Sequence, residues 1–137
     1  MIIIRLWHQF LIPYLPRQQL LGQHRECCAL RGQGWGRKHA TVDYVFKHSI
    51  AHLVAYHILV MEEMKKRGYQ PNELWYNCDY RGSTLNIENA WCDFDWADEL
   101  FEDAKNNKII YPEHNDEYLT ECINNLSNKG ITINFIE

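Results

Sequence analysis

The sequence predicts a mainly α-helical fold, a compact single domain with long loops spanning residues 1–137. Three observations lead there. Residues 16–31 and 49–67 both place apolar side chains three and four apart, the spacing of a helix with one buried face. An apolar fraction of 46% with 13% aromatics excludes disorder, and 137 residues suffice for a core without disulfides or metal. No internal repeat, low-complexity tract or linker divides the chain.

In chain order, Ile2 to Trp7 reads as a short strand or an extended arm packed on the core, with Pro13 and Pro16 ending whatever forms before the first helix. In that helix Leu20, Leu21, His24, Cys27, Cys28 and Leu30 make the buried stripe, while Gln18, Arg25 and Glu26 lie toward the other faces. Pro16 suits a first-turn position and Gly32 a stop. The loop that follows, GQGWGRKH, brings Gly32, Gly34 and Gly36 together before Arg37, Lys38 and His39. Such a loop lets backbone amides approach a phosphate, and Trp35 offers a stacking surface. A plain flexible connection is the alternative that the loop alone favours. No GxGxxG or Walker spacing is present, and no cofactor is expected.

The second helix opens on Ser49 as cap and runs Ile50, Leu53, Val54, His57, Ile58, Met61 and Met64 along one stripe. Lys65, Lys66 and Arg67 stand near its negative end, and Gly68 terminates it. His48 and His52, four apart and followed by His57, raise a metal question; no carboxylate shares their helix face, and no metal is expected. Residues 69–88 read as a loop-rich connection. Residues 88–105 read as an acidic helix with Trp91, Phe94 or Asp95, Ala97, Leu100 and Phe101 inward; its acids lack the glycine turn of a calcium loop and read as a solvated face. The last helix takes Asn115 or Asp116 as cap, runs through Leu119, Cys122, Ile123 and Leu126, and stops at Gly130, leaving Ile131 to Ile136 as a strand or tail.

Five cysteines without a CxxC pair indicate neither a disulfide framework nor a zinc ribbon, and the apolar start is interrupted by Arg5, His8 and Gln9, so a soluble cytoplasmic protein is expected. The net charge of −4 conceals an asymmetry: residues 1–67 carry ten Lys and Arg against four acids, residues 68–137 four against fourteen. A basic face for an anionic partner and an acidic face turned from it follow, against the plainer reading that both sets are solvated surface. Glu26 is the only acid between Met1 and Thr41 and directly follows Arg25.

These residues carry a resemblance. RLWHQ, LPRQQLLGQHRECCALRG, the RKH after the glycine loop, a helix ending KRGY and a YP turn before the last helix are similar to the pyrimidine-dimer DNA glycosylase and apurinic-site lyase family of the phage endonuclease V type, and to small bacterial relatives of it. The resemblance implies an endonuclease V-like helical fold and a monomeric DNA-repair glycosylase, with or without abasic-site lyase activity, acting on damaged pyrimidines in duplex DNA. It implies Glu26 as the catalytic carboxylate and Arg25 as the cation that shapes the site. Gln18 and Arg5 become DNA contacts, and His24 stands where the family has an aromatic. Arg31, Arg37 and Lys38 complete the expected DNA-contacting set.

The chain departs from the family's pattern in two respects, at the N-terminal amine and in its basic residues. Its nucleophile is the amine of a small residue directly before the Arg, whereas Ile4 stands there and Met1 is followed by the bulky Ile2. Extended, Met1 lies about 10 Å further out. Basic residues of the family's last helix appear as Ile123 and Ser127, and an Arg three after the Glu is Ala29. The alternative is a nucleic-acid binding protein that keeps the fold without the amine. A third, a cysteine enzyme built on Cys27 or Cys28 with His24, conflicts with the apolar stripe on which those thiols fall.

Overall fold

The axis of the fold is a helix whose faces are apolar nearly all round. In a computed structural model describing residues 6–36 and 43–133, α2 (Ile50–Lys66) buries Ile50, Ala51, Leu53, Val54, Ala55, Tyr56, His57, Val60, Met61 and Met64. Its start is fixed by the Ser49 hydroxyl, which accepts from Ala51 N at 3.2 Å, and its end by Gly68 in the left-handed region, φ +90°. Helices α1 (Arg17–Arg31) and α3 (Phe94–Lys105) pack on α2, as do two 3-10 segments, Gln9–Tyr14 and Asp43–Lys47. Helix α4 (Asp116–Asn128) contributes Cys122 and Leu126 to the same core. Among the described residues the one β contact is an isolated bridge, Tyr80 to Ile87, so the architecture is mainly helical as the periodicity requires.

Four local expectations are refined. Pro13 lies inside the 3-10 segment rather than ending it, since its fixed φ is compatible with the short, tight turn. Helix α3 begins at Phe94, later than the pattern, because Asp93 caps it by accepting from Trp96 N at 3.1 Å while Ala90 turns at φ +60°. Phe94 and Asp95, in its first turn, are exposed; Ala97 and Ala104 are the buried positions. Of the two candidate caps for α4 the structure selects Asn115, which accepts from Tyr118 N at 2.9 Å. Leu6 to His8 form no regular element, and neither do residues 131–133; the rest of the predicted arm and tail lies outside the described residues.

The start of the described chain is held by side chains instead of by a sheet. Tyr118 Oη donates to Leu6 O, Tyr56 Oη to Trp7 O at 2.6 Å, and Gln9 N donates to His114 Nδ1 at 3.1 Å. The Gln9 amide completes the clamp, accepting from Ile110 N and donating to Lys108 O, both at 2.8 Å. An irregular buried segment leaves backbone groups without ladder partners, and these side chains supply them.

That clamp has a pH signature. Burial holds His114 down at about 3, with His8 nearby adding to the effect, and burial also lowers His8 and, much further, His57. Below pH about 6.5 the unfolded chain protonates these imidazoles and the folded chain does not, so stability is full above that pH and falls as pH drops toward the folded values. His114, held at about 3, is expected to contribute a slope of about 1.4 kcal/mol per pH unit in that window. Denaturant unfolding between pH 7.5 and 4.5 checks this.

Candidate active site

Helix α1 buries Leu20, Gln23, Cys27, Leu30 and Arg31, so two polar side chains outside the expected stripe join the buried face, while Leu21, His24 and Cys28 of that stripe are only half-buried. Its opposite face shows Gln18, Arg25 and Ala29 to solvent, with Gly22 between them. A Cβ at Gly22 would meet only Arg25 Nη2, at 3.8 Å, so the Arg25 side chain lies back along the helix over a shallow, side-chain-free spot. Glu26 is half-buried at the edge of this face, and its Oε2 lies 3.5 Å from the Gln23 amide nitrogen. Three of the expected residues, Gln18, Arg25 and Glu26, are thus brought to one side of one helix. Arg5, Arg37 and Lys38 lie outside the described residues.

Arg31 is placed otherwise. It is fully buried: Nη1 donates to Trp75 O at 2.8 Å and to His57 Nδ1 at 2.9 Å, and Nη2 to Asn77 O at 2.9 Å and Tyr80 O at 3.4 Å. Its guanidinium also lies over the Trp75 ring, 5.0 Å from the centroid. A side chain so enclosed does not reach a phosphate; it ties α1 and α2 to the loop of residues 75–80, and the expectation that it contacts DNA is corrected on that ground. Arg81 performs a related task at the surface, donating to Arg31 O and Gly32 O at 3.1 and 2.9 Å and so capping the end of α1. Trp35, expected as a stacking platform, packs edge-on against Phe46 and Trp91.

His24, Cys28 and His57 draw close enough to suggest a metal, their donor atoms lying within 4.8 Å of one another. The hydrogen bonds argue against it. A guanidinium only donates, so the 2.9 Å contact makes His57 Nδ1 an acceptor and puts the proton on Nε2, which then donates to His24 Nδ1 at 2.9 Å. Both nitrogens of that pair are engaged, and the neighbouring guanidinium repels a cation. A metal-bound histidine ordinarily donates from its second nitrogen, whereas His57 accepts there. Burial pushes Cys28 up to about 12 and Cys27 well above the usual thiol range, so neither is a ready nucleophile. His48, just before α2, meets a carboxylate from elsewhere in the chain, Glu113 Oε1 at 2.9 Å, and His52 stands edge-on to Trp96.

Sequence reasoning missed Gln23. It is buried, accepts from Trp7 N at 2.6 Å and from Tyr56 Oη at 2.9 Å, and offers its amide nitrogen to Glu26. A Gln three residues before the singular acid, on the same helix side, was the available signal.

The fold and this face define a helical protein that presents one carboxylate beside an exposed arginine on its first long helix. The sequence pattern of the pyrimidine dimer DNA glycosylase family matches residues 4–77, more than half of the chain, and the chain belongs to that family. The matched region holds every expected site residue; α3 and α4 lie beyond it. No curated protein matches the chain, and no solved structure does. The family is one of DNA-repair glycosylases, for which DNA is the substrate. No helix among the described residues is long and apolar enough to cross a membrane.

Proposed function

We propose that the protein excises damaged pyrimidines from duplex DNA with Glu26 as the catalytic carboxylate. The observation that supports this most is the α1 face itself: a half-buried carboxylate beside exposed Arg25 and Gln18, adjoining the clamped root of the N-terminal segment through Gln23. Excision breaks the bond between C1′ of the deoxyribose and N1 of the pyrimidine, the electron pair leaving with the base. Positive charge grows on the sugar meanwhile, and Glu26 stabilises it. A nucleophile, water or an amine, then adds at C1′ and gives up its proton, for which Glu26 is the acceptor. Where the nucleophile is an amine, the C1′–O4′ bond then opens to leave an imine, O4′ taking the proton back from Glu26, and removal of the C2′ proton by the same carboxylate expels the 3′ phosphate, the lyase step. Extruding a nucleotide from the stack costs a few kcal/mol, least at a lesion, and that difference helps select damage.

Arg25 and Gln18 hold the phosphates beside the lesion, and Arg5, Arg37 and Lys38 extend the same contact. Arg25→Ala is expected to weaken binding to undamaged and damaged duplexes alike and to lower the slope of log K against log salt by about 1. Fluorescence anisotropy from 50 to 300 mM salt measures it; an unchanged slope removes Arg25 from the interface. The enzyme acts as a cytoplasmic monomer folded as one unit, which sedimentation and a single calorimetric transition check. Borohydride trapping on abasic-site duplexes tests for the imine, and incision of ultraviolet-irradiated DNA tests for base excision. Salt-sensitive binding with neither reaction would leave a nucleic-acid binding protein on this fold.

A further inference from the structure

Gln23 stands between two parts of the molecule that have no direct contact along the sequence, the Trp7 backbone and the Glu26 carboxylate. The direction of its amide is dictated. Trp7 N–H can only donate and lies 2.6 Å from Gln23 Oε1, which fixes the oxygen on that side; the Tyr56 hydroxyl shares its one proton between Trp7 O at 2.6 Å and Gln23 Oε1 at 2.9 Å. Turning the amide over would set its NH2 against the Trp7 N–H, 2.6 Å away in a buried place, a donor facing a donor. The oxygen therefore faces the chain's start, and the NH2 faces Glu26 Oε2, 3.5 Å away.

From this geometry we infer that Gln23 is a positioning residue for the catalytic carboxylate: clamped by Trp7 and Tyr56, its amide donates to Glu26, aiming the carboxylate and favouring its ionised form. The inference rests on the reading of Glu26 as the catalytic group and adds what sets its direction and charge. A donor fixed by two other hydrogen bonds is pre-organised, and a carboxylate that must stabilise a developing cation gains from being held in place before the substrate arrives. The same amide makes the site sensitive to the N-terminal segment, since displacing Trp7 releases the oxygen that orients it.

Gln23→Glu separates this role from simple structural support. The variant keeps an oxygen for Trp7 N–H and Tyr56 Oη, so the clamp survives, but it presents a second carboxylate oxygen to Glu26 in place of a donor. Side-chain carboxyl NMR of the full chain is expected to show the Glu26 titration midpoint raised by about one pH unit or more in Gln23→Glu, and the acid limb of the excision pH profile raised with it. An unchanged midpoint in a variant that melts like the wild type overturns the inference. Should the variant not fold, the wild type decides: the Gln23 side-chain amide signals are expected to shift with the Glu26 titration and to lose that inflection in Glu26→Gln, and signals indifferent to it overturn the inference equally. Neither NMR readout needs activity. A wild type without base excision refutes the proposed reaction, while the titration still tells whether Gln23 governs Glu26.

Discussion

Replacing Glu26 by Gln is expected to reduce base excision by at least about a hundredfold while leaving the affinity for damaged duplex within about threefold. Gln has the same length, and its carboxamide oxygen still accepts from the Gln23 amide that lies 3.5 Å from Glu26 Oε2, so the α1 face keeps its shape. What disappears is a negative charge and a proton acceptor. Binding depends on phosphate contacts, to which a carboxylate contributes only repulsion, so removing it leaves affinity intact or slightly tighter. Chemistry depends on charge opposite the sugar as the base departs, and a neutral amide does not supply it. Single-turnover excision of a cyclobutane dimer from a labelled duplex, with anisotropy on the same substrate, measures both quantities. Excision that survives the substitution assigns the reaction to another group; loss of binding in step with loss of excision makes Glu26 a structural residue.

How much of this was legible in the sequence varies with the range of the interactions. The ends of α2 were readable because caps are local: Ser49 and Gly68 act on their immediate neighbours. Glu26 was readable because isolation in charge is a property of the string. Gln23 and Arg31 were not, since what makes a polar residue buried is a partner, and theirs come from Trp7, Tyr56, His57 and the loop of residues 75–80. Periodicity assigns polar residues outward, which is right for Gln18 and Arg25 and wrong for these two. The charge asymmetry is subject to the same limit. Of the basic residues in the first half, Arg31 is internal, and Arg67 bonds Glu63 and the carbonyls of Leu15 and Pro13, so less of that charge faces outward than the count suggests.

Arg31→Met is expected to destabilise the fold by about 3 kcal/mol, lowering the melting temperature by about 10 °C, while leaving the DNA affinity of the folded protein unchanged. Two terms oppose each other. Burial alone draws the Arg31 guanidinium down to about 10, still charged at neutral pH, and among the described residues its hydrogen-bond partners include no carboxylate, so removing the charge relieves a desolvation cost. Against this, two carbonyl oxygens lose their donor in the interior, those of Trp75 and Tyr80, while the Asn77 oxygen keeps Tyr80 N at 3.0 Å. His57 can move its proton to the other nitrogen; the carbonyls have no such recourse, and an orphaned buried acceptor costs about 1 to 3 kcal/mol. The second term outweighs the first because it is counted twice. Urea titration and anisotropy performed on the same preparation distinguish support from contact. A variant that melts normally but binds DNA with a salt slope lower by about 1 would return Arg31 to the interface.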